Sequence, residues 1–292
     1  MDFATFLIQC LNALQYGLLL FLVASGLTLI FGIMGVINLA HGSFYMIGAY
    51  MAYALAPMVS GSFGGEFFST LAMGLVLSVI LGYVLEWAFF SYLYEREHLQ
   101  QVLMTYGLIL VFEELRSMLL GDDVHGVTVP PLLNGSFPLN EVMTYPVYRL
   151  FISGVCLLLA GAMWFVFTRT RLGMMIRAGT ANREMVQSLG IDITLLYRIV
   201  FAIGVALAAF AGMIAAPVSS VYPSMGNSVL IICFVVVVIG GIGSIRGALL
   251  AALLIGLVDT FGNVLLPQAA GVLVYVLMAL ILLWRPHGLF KD

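Results

Sequence analysis

Charged residues are scarce in this chain. Only 9% of its 292 residues are charged, whereas 63% are hydrophobic, and the mean hydropathy is +1.13. Soluble proteins carry roughly 25% charged residues, so the chain lacks the polar side chains that would cover a globular surface in water. A bilayer has a hydrocarbon core of about 30 Å, which roughly 20 apolar residues cross as a helix. The composition therefore excludes a separate soluble domain and predicts an all-α, polytopic integral membrane protein.

Lysine is almost absent, since Lys291 is the only one. A nucleotide-binding P-loop with the pattern G-x-x-x-x-G-K-[ST] needs a lysine to reach the phosphates, and Lys291 has no such glycines before it. No lysine or arginine precedes Arg96, which argues against a cleaved signal peptide. The net charge of −3 argues against a nucleic-acid-binding surface. The chain is therefore predicted to lack an ATPase site of its own and to bind no nucleic acid.

Cysteine is also rare and gives no sign of a metal centre. Cys10, Cys156 and Cys233 lie singly in apolar runs, without the paired spacing of a zinc site or a redox pair. The sequence also lacks a paired histidine and carboxylate motif and a serine–histidine arrangement at useful spacing. We therefore predict no metal site and no catalytic residue, and we interpret the cysteines as small hydrophobic residues.

What the sequence does contain is a series of apolar runs separated by polar or glycine-rich breaks. They predict about eight or nine transmembrane or broken helices within one domain of residues 1–292. The predicted helices are 6–31, 37–59, 67–93, 101–120, 148–168, 195–216, 226–241, 245–265 and 269–284. The break at 31–38 contains no charge, so it is either a turn outside the membrane or an interruption buried in protein, where irregular backbone survives at membrane depth.

Basic residues predict the orientation. Nine of the eleven lie in four segments, residues 94–100, 169–198, 242–247 and 285–292, which fall on one face when the runs are counted back from the C-terminus. The positive-inside rule makes that face, and the C-terminus, cytoplasmic. The longest segment on the opposite face is a turn-rich loop at 121–147, which is either a docking surface for an external partner or a passive connector.

A few ionisable residues fall within the predicted helices, where they are costly and are functional candidates by default. Glu113 and Arg116 are three residues apart and can pair on one helical face. Glu86 lies about two turns before the polar end of its run, so we expect it to reach the membrane interface. Asp259 has no evident partner in the sequence, which makes it the more interesting of the two isolated carboxylates.

The most polar part of the chain is residues 168–191. It predicts a short amphipathic helix outside the membrane, starting near Asn182, with one apolar face formed by Met185, Val186 and Leu189. Gly190 is well placed as the C-cap of that helix. The segment either docks in a groove on a soluble protein or is a solvated loop whose arginines only fix the topology.

Four stretches of the sequence resemble a known family. Residues 26–44, GLTLIFGIMGVINLAHGSF, closely resemble the branched-chain amino acid permeases of ABC importers, of the LivH type. Residues 240–247, GGIGSIRG, and 285–290, RPHGLF, match the same family in the same order. Residues 168–191 resemble the cytoplasmic coupling loop that engages the ATPase subunit of such importers. The four stretches together span nearly the whole chain.

The resemblance implies an assembly and a function. The chain would be the membrane subunit of an ATP-driven importer for branched-chain or related amino acids in the bacterial inner membrane, working by alternating access. The implied partners are a second permease of the LivM type, two cytoplasmic ATPases of the LivG and LivF type that bind ATP and Mg²⁺, and a periplasmic substrate-binding protein. The alternative is a stand-alone channel or secondary transporter for a small neutral solute such as urea or an amide.

The resemblance also assigns roles to residues of the coupling loop at 169–194. Contact with the ATPase is expected from Arg177, Ala178, Asn182, Arg183, Glu184, Leu189, Gly190 and Ile191. Val186 departs from the family pattern, which has a small residue, usually alanine, at that position. The larger side chain is expected to alter how the loop packs on its ATPase.

Polar and glycine residues beside the breaks are the remaining candidates. Polar side chains there need hydrogen-bonding partners, so they either line the substrate pathway beside a broken helix or join helices to one another. This candidate pathway group consists of Asn38, His41, Gly42 and Ser43. The glycines that predict the breaks and close helix packing are Gly32, Gly35, Gly240, Gly241 and Gly243.

Overall fold

The computed structural model describes residues 3–59, 66–94, 96–138 and 144–290. Within these ranges the chain forms eleven α-helices: α1 (Phe3–Met34), α2 (His41–Leu55), α3 (Glu66–Ala88), α4 (His98–Leu120), α5 (Val147–Arg169), α6 (Arg171–Ala181), α7 (Arg183–Ser188), α8 (Ile193–Ser219), α9 (Met225–Gly240), α10 (Ile245–Leu265) and α11 (Ala270–Trp284). Two short antiparallel strands, β1 (Ser136–Pro138) and β2 (Thr144–Pro146), form a small ladder before α5. The lone lysine, Lys291, lies outside the described residues.

All nine predicted apolar runs are helical, which confirms an all-α polytopic membrane protein. Among the described residues, five helices are long and apolar enough to cross a membrane: α1, α3 with the 3₁₀ turn that follows it, α5, α8 and α10. By contrast, α2 has 15 residues and is therefore only about 22 Å long. It begins four residues later than predicted because residues 37–40 are not helical.

Helices α1 and α8 form the centre of the bundle. In their most apolar stretches 89% and 83% of the residues are buried, against 17% in α5. Helix α1 packs against α5, α8, α9 and α10, while α8 also packs against α2 and α3. Helices α3, α5 and α10 keep exposed apolar side chains, which suit contact with lipid or with another membrane subunit.

Small residues allow the central helices to approach closely. A Cβ atom added at Gly42 of α2 would overlap the carbonyl oxygen of Gly226 in α9, and one added at Gly212 of α8 would overlap the carbonyl oxygen of Tyr45. Close backbone approach through small residues is the usual packing mode of helices in membranes, where apolar side chains gain little by leaving lipid. The short helix α2 is therefore held between α8 and α9 by backbone contact.

The bundle has two distinct ends. One, called here the long-loop end, carries the described residues of the 121–147 loop, where His125 and Val221 exchange two backbone hydrogen bonds of 2.8 Å. The other, called the α6–α7 end, carries α6 and α7, which follow α5 and precede α8. At this end Leu289 donates its backbone N–H to Ile239 (2.8 Å). The C-terminal stretch thus packs on the end of α9, and two of the sequence motifs come together.

Candidate functional site

The break between α1 and α2 is mostly buried within the protein, although Gly35 at its start is exposed. Its middle is held by the Asn38 side chain, whose Oδ1 accepts a hydrogen bond from the Ala40 N–H (3.0 Å). His41 Nε2 lies 2.9 Å from the carbonyl oxygen of Val23, which is eleven residues before the end of α1 at Met34, or about 16 Å along that helix. Helix α2 therefore begins well inside the bundle, an arrangement that fits the alternative of an interruption buried in protein.

The candidate pathway residues cluster at the start of α2. Asn38 and His41 are completely buried, and Gly42 and Ser43 are buried beside them. Within the described part of the chain, Asn38 Nδ2 and His41 Nδ1 have no hydrogen-bond partner from the protein itself. None of the four residues lines either of the two cavities found near the long-loop end. Their role in a pathway stays a prediction.

The glycines of the two predicted breaks meet at the α6–α7 end. Gly32 lies against Gly243, so that an added Cβ at Gly32 would come 2.9 Å from the Gly243 Cα. Gly240 packs on the backbone of Gly247, and Gly241 packs on the carbonyl oxygen of Phe290. Gly35 ends α1, donating its N–H to the Phe31 carbonyl (3.0 Å). The predicted packing role fits Gly32, Gly240, Gly241 and Gly243, whereas Gly35, with φ +66° and nothing within 4 Å of an added Cβ, fits the predicted break alone.

The α6–α7 segment consists of two short helices, each closed by its own capping residues. Thr170 Oγ1 accepts from the Gly173 N–H (3.3 Å) at the start of α6. Asn182 Oδ1 accepts from the Met185 N–H (2.9 Å) at the start of α7. At the end of α7, Gly190 has φ +82°, a left-handed conformation that costs other residues roughly 1–2 kcal/mol. The predicted C-terminal glycine is confirmed.

The hydrogen bonds that follow α7 belong to a Schellman motif. The Gly190 N–H donates to the Gln187 carbonyl (2.9 Å), and the Ile191 N–H donates to the Val186 carbonyl (3.3 Å). These two bonds satisfy carbonyl groups that the last turn of a helix otherwise leaves free. Asp192 then caps α8 by accepting from the Leu195 N–H (3.0 Å). The segment is therefore ordered by the chain itself, up to the first turn of α8.

The predicted apolar face of α7 is wrong. Met185 and Leu189 are 59% and 72% exposed, whereas Val186 is only 3% exposed. Residues four apart share one face of a helix, while adjacent residues point about 100° apart. Helix α7 packs against α8, so Val186 is buried within this chain, and the residue that departs from the family pattern does not lie on the exposed apolar face.

The other residues assigned to the ATPase contact lie mostly at the surface. Arg177 donates a hydrogen bond to the carbonyl oxygen of Phe167, which ties α6 to the end of α5. Ala178, Asn182 and Glu184 are exposed, and Ile191 is half-buried. The side chain of Arg183 lies outside the described part of the structure. The assigned residues therefore form a largely exposed surface around Met185 and Leu189.

A partly buried ion pair between Glu86 and Arg198 is a feature that the sequence did not reveal. Glu86 of α3 is 0% exposed, and its Oε2 lies 3.1 Å from Arg198 Nε of α8. Tyr94 donates its hydroxyl to Glu86 Oε1 (2.7 Å). The packing of α3 on α8 supplies Glu86 with a cation and a hydroxyl donor within the chain, and the expectation that Glu86 reaches the membrane interface stays a prediction. A lone carboxylate in an apolar run was the available signal that a partner existed.

Charged residues at the long-loop end form a second group, in which a largely buried Arg116 side chain lies between the half-buried Glu113 and the exposed Asp122. Arg116 lies 3.5 Å from Glu113 Oε2, which confirms the predicted pair, and 2.9 Å from Asp122 Oδ1. The hydrogen bond from Arg116, followed by one from Ser117, holds the pKa of the Asp122 carboxyl below its ordinary value. Asp122 is exposed, so such a pair contributes little to stability.

A polar cavity of about 360 Å³ also lies at the long-loop end, between α1, α5, α8 and α10. Asp259 of α10 lines it and accepts a hydrogen bond from Asn263 Nδ2 (3.2 Å). Arg149 of α5 lines it as well and donates from Nη1 to Asn12 Oδ1 (2.7 Å). Tyr145 donates to the same Asn12 oxygen (3.1 Å). The structure thus brings Asp259, which the sequence left without a partner, to the same cavity as Arg149.

These features define a helical, multi-pass membrane protein with an interrupted helix in its core and a largely exposed two-helix segment at one end. A family model described as the permease component of branched-chain amino acid transport systems matches residues 9–283. The chain therefore belongs to this family of membrane permease components, which confirms the resemblance seen in the sequence. The family does not favour a stand-alone channel or a secondary transporter.

Individual relatives agree with the family assignment. The chain is 32% identical to the high-affinity branched-chain amino acid transport system permease protein BraD of Pseudomonas aeruginosa, over 97% of this chain and 95% of that protein. It is 28% identical to LivH of Escherichia coli strain K12, over 99% and 96%. It is also 29% identical to LivM of Salmonella typhimurium, over 90% of this chain and 66% of that protein.

One solved structure is similar in shape. It is PsaBC from Streptococcus pneumoniae in complex with Fab, with a TM-score of 0.49 and 12% sequence identity, over 94% of this chain and 89% of that one. This likeness is too remote to establish a shared fold. The family match and the full-length relatives carry the assignment by themselves.

Proposed function

We propose that this chain is the permease subunit of an ATP-driven importer for branched-chain or related amino acids in a bacterial inner membrane. The observation that carries the proposal is the family match over residues 9–283, together with relatives named as high-affinity branched-chain amino acid transport permeases over 95% or more of both chains. The long apolar helices fit the membrane-embedded part of such a system.

The energy source would lie in other subunits. The chain has no lysine-bearing P-loop, so two cytoplasmic ATPases of the LivG and LivF type would bind ATP and Mg²⁺. The second permease would be of the LivM type, and a periplasmic binding protein would deliver the substrate. Similarity of this chain to a relative named LivM supports a pairing of two related permeases. Basic residues concentrated at the α6–α7 end favour a cytoplasmic location for that end.

The exposed surface of α6 and α7 supports their proposed role in coupling. Met174, Met185 and Leu189 are large apolar residues that are 56–72% exposed, outside the long apolar helices. Apolar side chains on a short ordered helix suit a groove on a partner protein. Helix α7 packs on α8, and α8 packs on α1, α2 and α3. A movement of docked ATPases would therefore pass through α8 to the centre of the bundle and drive alternating access.

The described residues of the 121–147 loop suit a contact with the binding protein. Exposed apolar side chains there include Val124, Leu132 and Phe137, while the backbone pairing of His125 with Val221 anchors the loop to the bundle. A loop that is ordered and exposes apolar residues can serve as a docking surface.

The proposal is tested by co-expressing the chain with its permease, ATPase and binding-protein partners and measuring amino acid import into ATP-loaded proteoliposomes. We expect import to require ATP, and Leu189→Asp to abolish co-purification with the ATPases and substrate-stimulated ATP hydrolysis. Leu189→Met, which keeps an apolar side chain, is the matched control and is expected to retain both. Uptake by this chain alone without ATP, or full coupling in Leu189→Asp, would contradict the proposal.

A further inference from the structure

The polar cavity at the long-loop end contains two opposite charges that do not pair. Among the described residues, no carboxylate lies within 4.0 Å of the Arg149 guanidinium, and no basic group lies within 4.0 Å of the Asp259 carboxylate. Both side chains line the same cavity. A guanidinium has five N–H donors, so the bond to Asn12 leaves others for a ligand.

The position of Asp259 makes an unpaired carboxylate costly. It lies in α10, six residues before the end of that helix at Leu265, or about 9 Å along it. Ionisable side chains inside membrane-spanning helices pair with one another or mark a substrate pathway. Its hydrogen-bond donor in the structure is the neutral amide of Asn263. A carboxylate held this way still offers an acceptor to a cation entering the cavity.

The rest of the cavity wall is divided between polar and apolar groups. Amides and hydroxyls that can orient a ligand come from Gln9, Asn12, Gln15, Tyr16, Ser219, Thr260 and Asn263. The aliphatic side chains are those of Leu19, Ala215, Val218 and Val264. A wall that combines aliphatic side chains with placed polar groups, in a volume of about 300–1,000 Å³, suits a small molecule that is itself part polar and part apolar.

We propose that this cavity is a binding site for a zwitterionic α-amino acid, with Arg149 binding the carboxylate, Asp259 binding the ammonium group and the aliphatic wall contacting the side chain. The inference rests on the proposed function, which places the long-loop end on the side from which substrate arrives. Arg149 lies in the first turn of α5 and Ser219 is the last residue of α8. The cavity would therefore be the first site in the permease to which the substrate binds.

The test uses the complete transporter complex in nanodiscs, without its binding protein, and measures displacement of radiolabelled leucine. The competitors are leucine, leucinamide, which lacks the carboxylate, and 4-methylpentanoate, which lacks the ammonium group. In the wild type we expect leucine to compete about 10- to 100-fold better than either analogue, as is usual for hydrogen bonds to charged groups. Arg149→Gln should abolish the preference over leucinamide only, and Asp259→Asn the preference over 4-methylpentanoate only.

Two further variants serve as controls, one conservative within the cavity and one outside it. Arg149→Lys retains a cation and is expected to restore part of the preference for leucine over leucinamide. Glu114→Gln removes an exposed carboxylate of α4 that does not line the cavity, and it should change neither preference. Equal weakening of all three ligands in both cavity variants, unchanged preferences, or no leucine binding by a complex that imports with ATP would overturn the inference. ATP-driven import by the wild type, measured in parallel, reports on the proposed function separately.

Discussion

The buried break between α1 and α2 and the exposed α6–α7 segment are both departures from straight membrane helices, but different groups satisfy their backbones. In the break, Asn38 bonds the chain next to it and His41 bonds α1, while Gly42 brings α2 against α9. In the α6–α7 segment, local caps satisfy the helix ends, and apolar side chains remain exposed. The first region depends on the fold around it, whereas the second keeps a surface free.

Because of this difference, substitutions in the two regions should have different effects. A substitution in the break removes or overlaps contacts within the chain, so it should lower the stability of the whole bundle. A substitution on the exposed surface of α7 changes little inside the chain, so it should act on partner proteins. Between the two lies the Glu86–Arg198 pair, because Arg198 is in the second turn of α8, just after the segment.

The largest effect is expected for Gly42→Ala in the buried region. The added methyl group would overlap the Gly226 carbonyl oxygen, and forcing extra volume into such a site costs about 3 kcal/mol. We expect a lower midpoint in thermal unfolding of the detergent-solubilised protein, followed by fluorescence-detected size exclusion. The matched control is Gly107→Ala in α4, where nothing lies within 4 Å of the new methyl group. Because alanine is the better helix former, equal destabilisation by both changes would contradict the packing argument.

An intermediate effect is expected for Glu86→Gln, which leaves Arg198 beside a neutral group. Hydrogen bonds to charged groups contribute about 1.5–3 kcal/mol, and the Arg198 side chain is 25% exposed, so we expect a loss of about 2 kcal/mol. Thermal unfolding of Glu86→Gln, Arg198→Gln and the double variant forms a double-mutant cycle. The pair is expected to show a coupling of about 1 kcal/mol or more. Additive losses from the two single variants would show that the pair does not join α3 to α8.

Most of the helices could be predicted from the sequence, but few of the contacts between them could. Each apolar run is long enough to predict a helix by itself, and the amphipathic stretch after Asn182 predicted α7, so ten of the eleven helices in the described residues could be located and only α6 was missed. The sequence position of the break at residues 31–38 could be predicted, but its position relative to the bundle could not. Its lack of charge suits a buried interruption and a turn equally well. The start of α2 inside the bundle follows from His41 reaching Val23, a contact between helices that no local pattern encodes.

The site residues show the same limit. Glu86 and Arg198 are separated by 112 positions, and Arg149 and Asp259 come from different helices that line one cavity. Isolated charges in apolar runs indicate that partners exist, but they do not say which ones. The apolar face of α7 was mispredicted for a related reason: periodicity finds apolar residues, and only the packing of α7 on α8 decides that Val186 is the one that is buried.

The smallest effect on stability is expected for Gly190→Ala at the end of α7. Its φ of +82° makes alanine unfavourable by about 1–2 kcal/mol, but this cost falls on a short surface helix that can fray without opening the bundle. We therefore expect an unchanged thermal midpoint together with weaker ATPase binding and less substrate-stimulated ATP hydrolysis. Gly271→Ala, at a position with open space and an ordinary φ, controls for the added methyl group. A lowered thermal midpoint of Gly190→Ala with normal substrate-stimulated ATP hydrolysis would contradict this prediction. The α6–α7 segment would then stabilise the fold and would not act on the partner.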